Sequence, residues 1–350
     1  MKRIVLCFDG TWNKPAEAGL SADKRVETNV YRFFDSLAGV GPDGAAQQSW
    51  YNEGVGTSWW NKLPGGVFGE GLDKHILDGY RHLVNAYEDG DEVFVVGFSR
   101  GAYAARSMVG MIRNCGLVRK EFAVAKVLVA YGIYRTRDDG PDSIAAKAFR
   151  SMFAHPLTIR FLGVWDTVGE LGIPFHFADR LNHDFYKFHD TALSNIVDNA
   201  YQAIALDEHR QAYQACLWDP PEKPSQTVEQ HWFIGAHADV GGGYLERELS
   251  DLTLLWMQEK AAALGLGLTP VAVGDDNYRG TLHDSYRDFL DGLYCCEYPP
   301  FYRRVFATKF GNEVFDAAID RRRQDIDLNY HPQNEGLPVE AAQILSVSRP

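Results

Sequence analysis

The chain has 350 residues, 45% of them hydrophobic and 23% charged, a balance that is typical of a soluble globular protein. Its formal net charge of −12 disfavours nucleic acid and anionic membrane as long-range partners, although a local basic patch is compatible with that total. No stretch of the sequence approaches the roughly 20 consecutive apolar residues of a membrane-spanning helix.

The first third of the chain predicts strands that alternate with helices. Residues 3–8 form an apolar run that ends at Asp9, as expected of a strand in a parallel sheet that is covered on both faces. Further along, the pattern predicts a helix over 29–37, a strand over 48–55, a glycine-rich loop over 54–71, a helix over 72–87 and a strand over 91–96.

The remaining elements continue this alternation. A tight turn and a helix follow at 97–116, and residues 119–155 are polar and helical in places. We then predict a strand over 157–165, a helix over 197–206, a strand over 230–234, a helix over 249–264 and a loop-rich tail from 269 onward. The pattern indicates one α/β domain over 1–350 with a doubly wound, mostly parallel sheet and helical insertions. Residues 119–155 and the C-terminal tail are candidate lid or cap insertions.

Residues 97–101, Gly-Phe-Ser-Arg-Gly, match the G-x-S-x-G pattern of a nucleophile elbow. In such an elbow a strained turn between a strand and a helix lifts the serine oxygen clear of the sheet, and the glycines make room for the neighbouring backbone. The apolar strand before Ser99 and the small-residue helix after it fit this geometry. The alternative is an ordinary strand-turn-helix in which Ser99 only caps the helix.

A nucleophilic serine needs a base, and the base needs a carboxylate that orients it. His237 follows an apolar strand and enters a glycine-rich loop, whereas His231 lies inside that strand and is expected to be packed or solvated. Asp166 directly follows the strand over 157–165, so Ser99, Asp166 and His237 occur in the chain order of α/β-hydrolases, each after its own strand. The alternative for Asp166 is a capping or turn residue.

Five further residues are assigned to the surroundings of this predicted triad. The backbone N–H of Arg100 is one expected donor of an oxyanion hole, and that of Gly10 or Thr11 is the other. Asp9 is expected to tie down the loop that carries Gly10. Asp239 lies only two residues from His237, and we expect it to fix the glycine turn at 241–243 rather than to orient the imidazole.

Two alternative chemistries have weaker support. The glycine-rich loop 54–71 lacks the endings of phosphate-binding and dinucleotide-binding motifs, so we interpret it as a mobile loop over a pocket. His237-Ala-Asp239 and His283-Asp284 could together bind a metal, but neither pair has the helical spacing of two metal-binding histidines, and the elbow would be unexplained. The hydrolase hypothesis requires no metal and no cofactor.

The cysteines indicate a reduced, cytoplasmic place of synthesis. Their number is odd and their spacing is not that of a metal site, and they are Cys7, Cys115, Cys216, Cys295 and Cys296. We expect Cys295 and Cys296 to be two buried thiols, with a strained bridge between these adjacent residues as the alternative. Because Asp9 interrupts the N-terminal apolar run, we expect no signal peptide.

Five ordered motifs resemble the successive blocks of one family. They are residues 8–13 (Phe-Asp-Gly-Thr-Trp-Asn), 97–103, 164–168, 205–210 (Ala-Leu-Asp-Glu-His-Arg) and 235–244, and they span about residues 3–290. The chain thereby resembles the α/β-hydrolase domain of type VI secretion phospholipase effectors and their uncharacterised relatives. The resemblance implies that Ser99, Asp166 and His237 form the triad, and that a phospholipid or another carboxylic ester is the substrate.

Partners and alternatives follow from the same resemblance. A phospholipid substrate implies transient contact with a membrane surface, and effector relatives raise the question of export by a folded-protein secretion system. A hydrolase of small, non-lipid esters and a non-enzymatic binding protein that retains the fold are the competing hypotheses. The oligomeric state and the acyl or head-group preference stay open at this point.

Overall fold

A parallel sheet forms the centre of the computed structural model, which describes residues 1–10, 26–54, 68–136, 140–168, 193–221, 223–289, 291–308 and 312–337. The strands are β1 (Arg3–Phe8), β2 (Gln47–Asn52), β3 (Glu92–Phe98), β4 (Leu117–Val118), β5 (Ala154–His155), β6 (Ile159–Trp165), β7 (Asn199–Ala205), β8 (Thr227–Phe233) and β9 (Glu313–Phe315). The α-helices are α1 (Asn29–Asp35), α2 (Phe68–Ala86), α3 (Arg100–Cys115), α4 (Ala123–Arg135), α5 (Ile144–Phe153), α6 (His237–Gly241), α7 (Glu248–Ala263), α8 (Ser285–Asp288), α9 (Leu293–Glu297) and α10 (Ala317–Gln324).

The sheet has seven strands in the order β2-β1-β3-β6-β7-β8-β9. Every neighbouring pair is parallel, and β4 and β5 form a separate antiparallel pair. The chain proceeds from β1 to β2 on one side and then to β3 on the other, so a topological switch point lies between β1 and β3. In open parallel sheets ligands bind beyond the carboxyl ends of the strands at such a point. The architecture confirms the predicted α/β class.

Two apolar layers explain why the strands read as continuous apolar runs. Alternate side chains of β1 point to opposite faces of the sheet. Leu6 packs in a cluster with Met108 of α3, and Val5 packs in a second cluster with Phe33 of α1 and Met257 of α7. Since both faces are covered by helices, β1 is buried at every position and needs no polar face.

Strand β7 corrects the helix that the sequence predicts over 197–206. Its alanines favour a helix, and a short apolar run does not distinguish helix from strand by periodicity alone. In the structure Asn199–Ala205 lies between β6 and β8 and pairs with both. The paired position satisfies its backbone groups inside the sheet, and this tertiary context overrides the intrinsic preference of the residues.

The C-terminal tail contributes to the core. After residue 269 the chain forms β9, which pairs with β8 at the edge of the sheet, and α10. Ile319 of α10 and Tyr330 pack in a third apolar cluster with Ile204 and Trp232 of the sheet. The tail, predicted to be loop-rich, thus completes one end of the sheet.

None of the helices within the described ranges is both long and apolar enough to span a membrane. All five cysteines are free in the structure, but the expectation that Cys295 and Cys296 are buried is wrong, since Cys295 is half-buried and Cys296 is exposed. Residues 55–67 of the predicted glycine-rich loop lie outside the described residues, so the interpretation of that loop stays a prediction.

We expect Ile319→Ala to lower the free energy of unfolding by about 2–5 kcal/mol, because Ile319 is 0% exposed and its truncation leaves a cavity. Ile326→Ala is the matched control, since Ile326 is 91% exposed, and it should change stability by less than about 0.5 kcal/mol. Urea unfolding followed by tryptophan fluorescence measures both. Equal, small effects would contradict the packing of the tail against β8.

Candidate active site

The predicted site residues gather beyond the carboxyl ends of the parallel strands. Asp9 follows β1, Ser99 follows β3, Asp166 follows β6, and His237 begins α6 a few residues after β8. Neighbouring parallel strands end at the same edge of a sheet, so residues that are far apart in the chain meet there. The site therefore lies at the position that the topology favours for a ligand.

Ser99 occupies a strained turn between β3 and α3. Its backbone has φ 57° and ψ −123°, in a region that residues other than glycine rarely adopt. The flanking glycines are required by close contacts. A Cβ on Gly101 would lie 2.2 Å from the carbonyl oxygen of Phe8, and a Cβ on Gly97 would lie 2.8 Å from the carbonyl oxygen of Gly101. The sequence therefore adopts the geometry expected of an elbow.

Ser99, His237 and Asp166 form one hydrogen-bonded chain. The Ser99 hydroxyl lies 2.8 Å from His237 Nε2, and His237 Nδ1 lies 2.6 Å from Asp166 Oδ2. When Nδ1 carries the proton and donates a hydrogen bond to Asp166, Nε2 is free to accept a hydrogen bond from the Ser99 hydroxyl. This arrangement has the geometry needed to transfer the serine proton to the imidazole during attack on a carbonyl.

Asp166 is fully buried and is held by an arginine from the tail. Arg303 donates through Nη1 to Asp166 Oδ1 at 2.6 Å and through Nη2 to Oδ2 at 3.1 Å, and the backbone N–H of Ala205 donates to Oδ1 at 3.0 Å. Burial alone would raise the pKa of Asp166, but the charge of Arg303 and the hydrogen bond from His237 outweigh it and lower that pKa. Asp166 is therefore a carboxylate at neutral pH.

A second buried ion pair supports the backbone of His237. Glu208 accepts from Arg210 through Nε and Nη2, both at 2.8 Å, and it also accepts from the backbone N–H of His237 at 3.3 Å. Although burial opposes ionisation, the charge of Arg210 lowers the pKa of Glu208 to about 2. The side chain of Ser285 donates to the same carboxylate at 2.9 Å. Glu208 thus joins the start of α6 to α8.

Aromatic rings enclose the imidazole of His237. The ring of Phe98 lies 4.6 Å from it, and that of Tyr213 lies 5.1 Å away in an edge-to-face arrangement. The guanidinium of Arg210 stacks on the ring of Tyr213, 3.6 Å from the ring centroid. These contacts restrict the orientation of the imidazole and limit its access to water.

The predicted oxyanion donors are only partly in place. Gly10 lies beside the nucleophile, since a Cβ on Gly10 would be 3.3 Å from Ser99 Cβ, but its N–H donates to Asp9 Oδ1 at 2.6 Å. An oxyanion would therefore compete with that carboxylate for Gly10. The N–H of Arg100 belongs to the first turn of α3, where backbone donors lack intrahelical acceptors. Thr11 lies outside the described residues.

Asp9 ties together three segments, in the way that its predicted role requires. It accepts from Thr28, which caps α1, at 2.6 Å and from the hydroxyl of Tyr51 in β2 at 2.5 Å. Burial raises the pKa of Asp9 to about 6, although the hydrogen bonds from Thr28, Tyr51 and Gly10 oppose that change. Asp9 is therefore a titratable group close to neutral pH at the edge of the site.

Asp239 has different partners from those that we predicted. Its carboxylate accepts from the backbone N–H groups of Ala236 at 3.0 Å and His283 at 3.1 Å, and its Oδ1 lies 2.6 Å from His283 Nδ1. It therefore holds the start of α6 and the segment at 283, rather than the turn at 241–243. Within the described ranges, no group of three or more His, Cys, Asp or Glu residues could hold a metal ion.

Sequence reasoning missed Arg303 and assigned no role to Glu208 or Arg210. The Glu208–Arg210 pair lies in one of the five motifs, so its pattern offered a signal. Arg303 offered none, because it is followed by Arg304 in a tail without periodicity, and Arg304 is exposed. Nothing local in the sequence distinguishes the two arginines.

The parallel sheet with a serine on the turn after β3 makes this an α/β-hydrolase-like protein. Residues 2–260 match the family model for the catalytic domain of the Tle1-like phospholipase effectors of the type VI secretion system. The chain therefore belongs to that family, and the resemblance predicted from the five motifs is confirmed.

Individual relatives are more distant. An uncharacterized protein of Saccharomyces cerevisiae is 30% identical over 243 residues, which are 63% of this chain and 33% of that protein. The crystal structure of an uncharacterized protein from Pseudomonas aeruginosa matches with a TM-score of 0.44 at 20% identity. This match covers 77% of this chain and 46% of that chain. The structure of the Tle1 effector bound to the VgrG spike has a TM-score of 0.41 at 18% identity, with 70% and 52% covered. The chain thus spans about a third of the curated relative and about half of each solved chain.

We expect Arg303→Met to destabilise the protein by on the order of 3–5 kcal/mol, because it leaves the buried Asp166 carboxylate without its cation. The pKa of Asp166 is lowered in the folded state, so its stabilising contribution is present above the unfolded pKa of about 3.9 and is lost as pH falls through the folded value. Without Arg303 the folded pKa rises, and acid unfolding should begin at a higher pH.

The control for this prediction is Arg304→Met, since Arg304 is largely exposed and its nearest ion pair, with Glu335, is 3.6 Å long. Thermal unfolding measured between acidic and neutral pH compares the two variants with the wild type. If both variants lose stability equally, or if Arg303→Met leaves the acid limb unmoved, Arg303 does not hold Asp166 in the ionised state.

Proposed function

We propose that the protein is a serine hydrolase that cleaves carboxylic esters, with Ser99 as nucleophile, His237 as general base and Asp166 as the group that orients it. The observation that carries this proposal is the continuous hydrogen-bonded chain through these three side chains, with contacts of 2.8 and 2.6 Å. Each residue comes from a different strand end, and Ser99 lies on a strained turn of the kind that an elbow requires.

The chemistry proceeds in two steps. His237 Nε2 takes the proton of Ser99 as its oxygen attacks the ester carbonyl, and the carbonyl oxygen becomes an oxyanion near the amide of Arg100. Collapse of the tetrahedral intermediate expels the alcohol, which receives its proton from His237 and leaves an acyl group on Ser99. A water molecule, deprotonated by His237, then attacks this ester, and collapse of the second tetrahedral intermediate returns the proton from His237 to the Ser99 oxygen and releases the carboxylic acid.

We propose a phospholipid as the substrate, because the family to which residues 2–260 belong is one of phospholipase effectors. Membership of the same family supports export through a type VI secretion system. In that case the protein should appear in the medium only when the cells have a working secretion system. Hydrolysis of small esters alone is the second candidate, since the hydrogen-bonded chain through Ser99, His237 and Asp166 suits any carboxylic ester. Esters of graded chain length, compared with phospholipid vesicles, separate the two.

Ser99→Ala should reduce ester hydrolysis to less than about a tenth of the wild-type rate, because the hydroxyl is needed for chemistry. A fluorophosphonate probe should label the wild type and leave the variant unlabelled. Ser49→Ala is the control, because Ser49 is exposed on β2, and it should retain labelling and rate. Labelling of the Ser99 variant with full activity would exclude Ser99 as the nucleophile.

Two carboxylates near His237 can be separated by their effects on turnover. Asp166→Asn should lower kcat by on the order of 10⁴, because the amide cannot hold the required imidazole tautomer. It also leaves Arg303 without a counter-charge, so we expect a loss of stability as well, and kcat must be measured well below the unfolding temperature. Unlike Asp166, Asp239 bonds His283 rather than the catalytic imidazole.

Asp239→Asn should therefore destabilise the protein by about 1–3 kcal/mol while changing kcat less than tenfold. The pair of variants is informative as a ratio, since both lose buried hydrogen bonds and only one contacts His237. A loss of turnover that is larger for Asp239→Asn than for Asp166→Asn would remove Asp166 from its assigned role.

A further inference from the structure

An apolar surface without a partner among the described residues covers the outer side of α4 and α5. The solvent-facing positions of α4 follow helical spacing and are all apolar, namely Val124, Ala125, Leu128, Val129 and Gly132. On α5 the exposed apolar residues are Ile144, Ala145, Ala148 and Met152. Val124 is 101% exposed, Ile144 89% and Leu128 61%, so whole side chains are in contact with solvent. We call this set of residues the α4–α5 face.

Helix α4 is apolar on both of its sides. Val127 and Ala130 are buried in the cluster beneath α4, while Val124 and Leu128 occupy the opposite side. A surface helix normally presents polar residues to solvent, and a helix that is apolar all round is normally buried all round. Contiguous exposed apolar surface of this kind marks a place of interaction.

The segment that contains the α4–α5 face has a charge opposite to that of the whole chain. Residues 119–155 contain seven Lys or Arg and four Asp or Glu, a net charge of +3 within a chain of −12. Lys120 and Lys147 are exposed, Lys147 in a solvent-exposed pair with Asp142 at 3.2 Å, and the ammonium of Lys126 lies 4.4 Å from the ring centroid of Phe153. An apolar face with a basic rim complements anionic head groups above acyl chains.

The α4–α5 face extends toward the edge of the sheet that carries the active site. Helix α2 ends shortly before β3 begins, so its first turns lie near the carboxyl end of that strand. Arg135, in the last turn of α4, pairs with Asp73 near the start of α2 at 3.1 Å. The end of α4 therefore lies on the same side of the molecule as Ser99.

We propose that the α4–α5 face docks the protein on the anionic surface of a phospholipid bilayer. The inference rests on the proposed function in one respect, which is that a phospholipid substrate must be reached in its membrane. The apolar side chains would enter the region between head groups and acyl chains, and the lysines would contact the head groups. Long-range repulsion from the acidic remainder of the chain makes a localised basic rim necessary for this approach.

The test measures binding of the full chain to vesicles, with Ser99→Ala as the background so that no lipid is hydrolysed. Vesicles of phosphatidylcholine with about one third phosphatidylserine are compared with pure phosphatidylcholine by co-sedimentation. We expect binding to the anionic vesicles that weakens with added salt, and a loss of about tenfold or more in Leu128→Glu/Ile144→Glu. Ile326→Glu is the control for each of the two substitutions made singly, since it places one glutamate at an exposed isoleucine outside the face.

Each outcome separates this inference from the proposed function. In the Ser99→Ala background, equal binding of anionic vesicles by the double variant and the control would overturn the proposed docking face. With Ser99 intact, the double variant should hydrolyse a soluble ester at the wild-type rate and vesicle phospholipid more slowly. If the protein binds vesicles but hydrolyses no ester, the proposed function is wrong and the docking face stands. Concentration-dependent dimerisation that Leu128→Glu abolishes, without vesicle binding, would assign the face to a second copy and overturn the proposal.

Discussion

The buried carboxylate of Asp166 is the constraint on which the rest of the site depends. An ionised group without contact with water is expensive unless cations and hydrogen-bond donors surround it. Here the donors come from Arg303 in the tail, the backbone of Ala205 in β7 and the imidazole of His237 at the start of α6. Removing any one of these elements leaves the charge under-compensated. The site can therefore form only when β6, β7, the segment after β8 and the tail are all in place.

The ion pair with Arg303 also affects how Asp166 can act. A carboxylate next to a guanidinium is part of a nearly neutral pair, and the field of such a pair falls off faster than that of a single charge. The charge of Asp166 therefore acts on His237 more weakly than that of a lone carboxylate would, and its hydrogen bond to Nδ1 of His237 has the larger part in orienting the imidazole. Glu208 acts on the same residue from the backbone side. Two buried ion pairs thus hold the position of one imidazole.

Local signals in the sequence predicted the parts of the site that depend on local geometry. The turn at Ser99 and the strand ends before Asp166 and His237 are encoded in short patterns of glycine, apolar and polar residues, and the structure brings these three side chains together. Strand β7 was predicted wrongly as a helix, because only its place between two strands decides its conformation. Arg303 contacts Asp166 across 137 residues of chain, and a single long-range ion pair leaves no periodic pattern to detect.

The physical unit of the site is longer than the part that matches the family. The match ends at residue 260, yet Arg303 and Tyr330 lie beyond it. The Tyr330 hydroxyl donates to Asp207, whose carboxylate also accepts from the backbone N–H of Gly235, two residues before His237. The tail therefore holds Asp166 and the start of α6 through separate contacts. A chain that ended at 260 would keep Ser99, Asp166 and His237 and lose groups that hold two of them in position, so the structural unit of the site extends past the family match.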